Sequence, residues 1–252
     1  MALLRCDFFS DVLEVGTSMT VLLPQDVESQ IGVSTSATGR DGFPVLYLLH
    51  GLSDDSTAWS RFTSIERYAA EVGVAVVMPQ VQRSFYADEA HGARFWTFLS
   101  SELPDVVGSF LRVSQRREDT FVAGLSMGGY GALKWALHQP QRFAAAASLS
   151  GALDLHALLP ERRPLFDRVF DGQVGPDDDL FALLAGADTD ALPALFVGCG
   201  TEDPLYGSSV RFSDEAAAAG VDVHVDFRPG EHEWGLWDAT IRDVLAWLPL
   251  RP

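Results

Sequence analysis

Short apolar runs punctuate the chain: Val45 to Leu49, Val74 to Met78, Thr120 to Ala123, Ala144 to Leu149 and Ala194 to Gly198. Runs so brief and so uniformly apolar predict strands buried on both faces, the condition of a parallel sheet covered by helices on either side. Ala144 to Ala147 has helix propensity as well, and its place in the alternation assigns it to a strand. Ahead of these, Leu4 to Ser10 and Thr17 to Leu23 predict an antiparallel lead-in pair, and Val221 to Phe227 alternates apolar with polar as a late strand. Helical composition falls between the strands, near Arg61 to Glu71, Phe95 to Arg112, Tyr130 to His138, Ser208 to Ala219 and Leu236 to Leu248. Strand and helix in turn predict an α/β fold with a mostly parallel central sheet flanked by helices.

One stretch breaks the alternation. From Ala152 to Leu192 the chain carries Pro160, Pro164 and Pro176, several charges and little continuous apolar sequence, between two predicted strands. A long insertion at such a place predicts a cap over the site, with a plain surface excursion as the rival reading. The whole 252-residue chain otherwise reads as one α/β domain.

Charge and cysteine content narrow the field of partners. Acidic residues outnumber basic ones 35 to 18 and the net charge is −17, with no Lys/Arg-rich run to track a phosphate backbone, so nucleic acid is not an expected partner. No apolar stretch reaches membrane-spanning length, and MALLRCDFF at the start has neither the basic region nor the apolar core of an export signal. The expectation is a cytoplasmic protein with no membrane partner; nothing in the sequence fixes an oligomeric state. Cys6 and Cys199 are too few for a disulfide framework, and Cys199, ending an apolar run, reads as a buried small hydrophobe.

The chemistry is concentrated in Gly124-Leu125-Ser126-Met127-Gly128, a GxSxG motif between a predicted strand and a predicted helix. That context is what a nucleophile elbow requires: a sharp turn exposes the serine and leaves no room for side chains two residues before and two after. A serine hydroxyl needs a histidine to take its proton and an acid to hold that histidine in the right tautomer. Asp203 and His232 follow in the order Ser, acid, His, each on a loop just after a predicted strand, on the same rim as Ser126. Glu202 is the rival acid. His91, His138 and His156 fall on helix or connecting segments and His224 falls inside a strand, which leaves His232 as the expected base. The backbone N–H groups of Met127 and of Leu52, the latter after the His50-Gly51 turn, are the expected oxyanion donors. His50 is expected to brace that loop. Trp59, Phe85, Tyr86, Phe95 and Trp96 lie on the same side of the predicted sheet, and of these Trp59, Phe85, Tyr86 and Trp96 are taken as candidate pocket walls. No HExxH or CxxC is present, and no metal or cofactor is expected.

These residues resemble the esterase D-like α/β-hydrolases, and within them the small tributyrin esterase or acetylesterase branch. The resemblance rests on VLYLLHGLSDDSTAW at 45 to 59, VVMP at 76 to 79, AGLSMGGYGALKWAL at 123 to 137, SLSGALD at 148 to 154, GTEDPLY at 200 to 206 and GEHEWGLW at 230 to 237. It implies an α/β-hydrolase fold with Ser126 as nucleophile, Asp203 and His232 as partners, Leu52 and Met127 as oxyanion donors, and a small-molecule ester as substrate. S-formylglutathione hydrolases are similar around the elbow but read HSMGGHGAL where this chain has LSMGGYGAL, and they lack a histidine at the position of His50; both departures point away from glutathione thioesters. Secreted mycolyltransferases share the SLS region but would carry an export signal. The expectation is a serine carboxylesterase for short acyl chains, with a thioesterase or feruloyl-type esterase as the enzymatic alternative. A non-catalytic hydrolase-fold binding module is the remote one.

Overall fold

In the computed structural model, which describes residues 1–26, 31 and 42–251, eight strands form one sheet in the order β1-β2-β4-β3-β5-β6-β7-β8. Strands β1 (Ala2–Ser10) and β2 (Val15–Leu23) pair antiparallel, and β2 pairs antiparallel with β4 (Ala75–Pro79). From there β3 (Val45–Leu49), β5 (Thr120–Leu125), β6 (Ala145–Leu149), β7 (Ala194–Gly200) and β8 (Val223–Arg228) run parallel. This is the expected α/β architecture with its antiparallel lead-in. β8 is an edge strand and mostly half-buried or exposed, so the alternation seen in its sequence is blunted.

Helices α1 (Ala58–Phe62), α2 (Ile65–Val72) and α10 (Trp234–Trp247) cover one face of the sheet; α4 (Leu103–Phe110), α5 (Met127–His138) and α9 (Tyr206–Ala218) cover the other. β3 shows how the sequence serves both layers. Val45, Tyr47 and Leu49 enter the core under α5, while Leu46 and Leu48 enter the core under α10. A strand that must be apolar on both faces cannot show a period-two pattern, which is why it reads as an unbroken run.

Two expected helices are interrupted. The segment expected from Arg61 to Glu71 is two helices, because Thr63 is extended and Ser64 donates its N–H to Asp238 of α10 at 2.7 Å instead of continuing the ladder. The segment expected from Phe95 to Arg112 begins with α3 (Phe95–Thr97), widens to a π-helical stretch over Phe98–Glu102 and ends with α4 at Phe110. Pro104 lacks an N–H and its ring crowds the carbonyl four residues back, and Ser100 bonds its hydroxyl to the Trp96 carbonyl at 2.7 Å; both favour the wider turn.

The insertion from Ala152 to Leu192 contains α6 (Leu155–Leu158), α7 (Arg163–Phe170) and α8 (Leu180–Ala185). One stripe of α5 grips it. Tyr130 Oη donates to the Asp178 carbonyl at 2.8 Å, Lys134 Nζ meets Asp178 Oδ1 at 2.5 Å, and His138 Nε2 bonds the Asp177 carbonyl at 2.8 Å. Lys134 is buried, also donates to the Tyr86 carbonyl at 3.0 Å and sits 4.6 Å from the centre of the Trp96 ring. Burial lowers its pKa, and the facing Asp178 carboxylate opposes that shift without cancelling it.

Candidate active site

β5 ends at Leu125 and α5 begins at Met127, so Ser126 is the whole turn between them, at φ 53° and ψ −117°. A non-glycine residue in this region costs about 1–3 kcal/mol and persists only where its surroundings hold it. Here the Ser126 N–H donates to the Leu149 carbonyl at 2.9 Å, and its own carbonyl accepts from Ala152 N–H at 3.0 Å. The flanking glycines are required by contact: a Cβ on Gly124 would overlap the backbone of Gly128, and one on Gly128 would overlap the carbonyls of Leu49 and His50.

Asp203 and His232 emerge after β7 and β8 at the carboxyl edge of the sheet, where ligand sites of open α/β sheets form. His232 Nε2 lies 3.2 Å from Ser126 Oγ, and His232 Nδ1 lies 2.8 Å from Asp203 Oδ2. A carboxylate only accepts, so Nδ1 carries the proton and Nε2 is left to accept from the serine hydroxyl. Burial alone would push the Asp203 carboxyl up; hydrogen bonds from His232, the Leu205 N–H and Ser150 outweigh it and hold the pKa below the ordinary carboxylate value. Glu202 faces elsewhere: its carboxylate accepts from Gly230 N–H, which holds its pKa low and ties the β7 and β8 loops together.

The remaining histidines have other posts. His91 meets Asp171 at 3.1 Å, His156 meets Asp179 at 3.4 Å, and His224 stacks on Phe196 with ring centres 4.9 Å apart. His50 is buried, with Nδ1 2.7 Å from the Gly51 carbonyl and Nε2 accepting from Val81 N–H at 3.2 Å. Burial lowers its pKa against the pull of Gly51, Asp54 and Asp55, so the imidazole is a neutral brace of the turn before Leu52. Within that turn Gly51 N–H is held by Asp54 Oδ2 and Asp54 N–H by the Gly51 carbonyl, and these bonds pass over the Leu52 N–H. Met127 opens α5, where the first N–H groups have no intrahelical acceptor.

Two cavities meet at Ser126 and His232. The smaller, about 180 Å³, is walled by Leu52, Phe85, Met127, Ala152, Leu158 and Leu205. The larger, about 700 Å³, is open and has a lining half polar and half apolar, with Ser53, Asp54, Arg83, Arg162, Glu233 and Trp234 on its sides. The insertion therefore reaches the site, through Ala152 and Leu158 in the small cavity and Arg162 in both.

Of the four aromatic candidates the structure puts only Phe85 on a cavity beside Ser126. Trp59 is buried under the sheet with its indole N–H on the Leu49 carbonyl at 3.0 Å, because α1 lies in the α10 layer. Tyr86 is fully buried and donates its hydroxyl to the His50 carbonyl at 2.8 Å. Trp96 packs on Lys134 and His138, in a separate cavity edged by Asp177 and Asp178. Trp59 packs on one face of the sheet and Phe85, Tyr86 and Trp96 on the other, and packing direction decides which ring reaches the cavity. Cys199 is buried and its thiol is pushed up to about 11, as suits an inert side chain. Sequence reasoning missed Ser150, Arg83 and Arg162. Ser150 follows β6 directly, at φ 46°, and its rim position was the available signal; the arginines sit in segments without a pattern.

No helix among the described residues is long and apolar enough to cross a membrane, and no cluster of metal-binding side chains occurs among them. Comparison with known proteins gives a consistent result. The family described as "Putative esterase" matches residues 13–248. An acetyl esterase from Caldicellulosiruptor saccharolyticus is 28% identical over 98% of both chains. Among solved structures, the substrate-bound fluorophosphonate-binding serine hydrolase FphF of Staphylococcus aureus superposes with a TM-score of 0.88 at 33% identity over 99% of both chains. The S-formylglutathione hydrolase FrmB of the same organism superposes with a TM-score of 0.84 at 32% identity, again over 99% of both. The chain thus belongs to the esterase D-like esterase family and is a serine hydrolase of carboxylic esters with the α/β-hydrolase fold.

Proposed function

We propose that this protein hydrolyses esters of short acyl chains by double displacement, with Ser126 as nucleophile, His232 as general base and acid, and Asp203 as the group that orients His232. The observation that carries the reading is the Ser126–His232–Asp203 relay, at 3.2 and 2.8 Å, standing at the mouth of a cavity of only about 180 Å³. His232 Nε2 takes the Ser126 proton as Oγ bonds to the carbonyl carbon, and the carbonyl oxygen becomes an oxyanion facing the N–H groups of Leu52 and Met127. Collapse breaks the bond to the alcohol, which leaves with the proton from His232. Water, deprotonated by His232, then attacks the acyl-enzyme; the acid is released and Oγ recovers its proton.

His232 borders both cavities, so size and lining assign the groups: the roomier 700 Å³ cleft receives the leaving alcohol and the small, more apolar cavity receives the acyl chain. A cavity of about 180 Å³ is smaller than the roughly 300–1,000 Å³ of sites for larger ligands, which favours acetyl to butyryl groups. Each methylene that fits contributes about 0.8 kcal/mol at most.

The test is a graded series of chromogenic esters from acetyl to octanoyl, with S-formylglutathione alongside. The expected result is kcat/KM rising slightly to butyryl and collapsing by octanoyl, with Ser126→Ala lowering turnover by roughly three orders of magnitude. A fluorophosphonate should label Ser126 alone. Faster turnover of S-formylglutathione than of every simple ester would replace the short-chain ester reading with a thioesterase one, in line with the FrmB likeness.

A further inference from the structure

Arg83 and Arg162 both line the open cleft beside Ser126, and among the described residues neither guanidinium has a hydrogen-bond, ion-pair or ring partner. With 35 acidic residues against 18 basic ones, a guanidinium finds a carboxylate easily, and Arg5, Arg61, Arg163, Arg168, Arg211 and Arg228 each do. Arg67, Arg94, Arg117 and Arg142 also meet no carboxylate, but each has a ring, hydroxyl, amide or carbonyl partner instead. Arg83 and Arg162 come from distant parts of the chain, one from the loop after β4 and one from the insertion, yet converge on one cleft.

The acids of that cleft are turned to the backbone. Asp54 accepts from Gly51 N–H at 3.2 Å, and Glu233 accepts from the Gly235 and Leu236 N–H groups at 2.7 and 2.8 Å, capping α10. What the cleft presents to a ligand is therefore two sets of guanidinium donors in search of an acceptor. In the small cavity Arg162 has Glu161 beside it and no second arginine, whereas Arg83 lines only the cleft.

We propose that Arg83 and Arg162 form an anion subsite on the leaving-group side of Ser126, and that the preferred substrates carry a carboxylate on the alcohol or thiol they release. This rests on the assignment of Ser126 as nucleophile and of the open cleft to the leaving group. Guanidinium forks match a carboxylate's two oxygens. A phosphate monoester, with roughly twice the charge at neutral pH, fits less well because Asp54 and Glu233 flank the same cleft.

The experiment compares two esters of equal size, 4-acetoxybenzoate and 4-acetoxybenzamide, with 4-acetoxyphenyl phosphate as a third arm. Wild type at low ionic strength should favour the carboxylate over the amide by about tenfold in kcat/KM, a preference that shrinks as salt screens the exposed arginines. In Arg83→Gln/Arg162→Gln the ratio should fall to about one, with each single change giving part of the loss. A wild-type ratio near one, or a ratio that survives the double change, overturns the subsite; a stronger preference for the phosphate overturns the choice of carboxylate. Calorimetry on Ser126→Ala protein decides the subsite without turnover: it should bind 4-acetoxybenzoate about tenfold more tightly than the amide, and should lose that difference when both arginines are replaced. Should wild type hydrolyse none of these acetyl esters, the short-chain esterase reading fails while the calorimetric difference still decides for or against the arginines.

Discussion

Ser126 and Arg162 face the same cleft but are held there in opposite ways. The serine's position is a backbone matter: strand, one-residue turn and helix, with Gly124 and Gly128 admitting no Cβ and each peptide group of Ser126 bonded. The segment that carries Arg162 is held mostly by side chains, chiefly the Tyr130, Lys134 and His138 stripe on the Asp177–Asp178 loop and the packing of Phe166 and Phe170 against Phe85, with backbone bonds from Ala90 and His91 to the Val169 and Arg168 carbonyls at the far end of α7. Backbone sterics restrict residue type severely and leave a motif. Side-chain packing accepts many solutions and leaves none, so in this fold the reaction is written more plainly than the substrate.

The comparison can be broken first at its chemical end. Asp203→Asn should lower kcat near neutral pH by roughly 10⁴-fold, since the amide favours the wrong imidazole tautomer, whereas Glu202→Gln should cost much less because its partner is the Gly230 N–H. Steady-state kinetics on both variants at matched folded fraction settles the ranking, and the reverse order would hand the acid role to Glu202.

Next comes the backbone itself. Gly128→Ala should destabilise the protein by roughly 3 kcal/mol, because the new methyl must displace the carbonyls of Leu49 and His50 in the centre of the sheet. Urea unfolding reads this directly, and a loss under about 1 kcal/mol would show that the elbow yields more than its contacts suggest.

The side-chain end should be softer. Lys134→Met keeps most of the volume but leaves the Tyr86 carbonyl and the Asp178 carboxylate without their donor, at a cost of about 2 kcal/mol. Unchanged stability would mean that the insertion is held mainly by its apolar contacts.

The smallest effect is a pH dependence in the loop before Leu52. His50 has a folded pKa below its ordinary 6.5, so under pH 6.5 the unfolded chain takes up a proton that the folded protein refuses. Stability therefore falls as pH drops through this range, by at most about 1.4 kcal/mol per pH unit. Unfolding free energies at two pH values either side of 6.5 should show a greater loss in wild type than in His50→Gln. Equal losses would remove His50 as the source.

Legibility followed the same divide. The strands were readable because apolar runs have few other uses, and the meeting of Ser126, Asp203 and His232 on one rim because each lies just past a strand of the parallel sheet. Trp59 and Tyr86 were misread because a buried aromatic looks the same in sequence whether it floors a pocket or a core; the Leu49 and His50 carbonyls that claim their polar atoms come from other strands and loops. The break at Thr63 was hidden because its cause, Asp238, lies far along the chain. Arg162 left no trace, because nothing local distinguishes an arginine that meets a carboxylate in the fold from one that does not.

The two cavities share Leu52, Ser126, Arg162 and His232 and otherwise have separate walls. Under the proposed division of the cavities, this makes acyl and alcohol preference nearly independent heritable traits for a lineage of such enzymes. On that division, drift at Leu158 or Leu205 would change what the serine carries, and drift at Ser53, Arg83 or Trp234 what it releases. Arg162 belongs to both walls and is the position where the two traits are tied together.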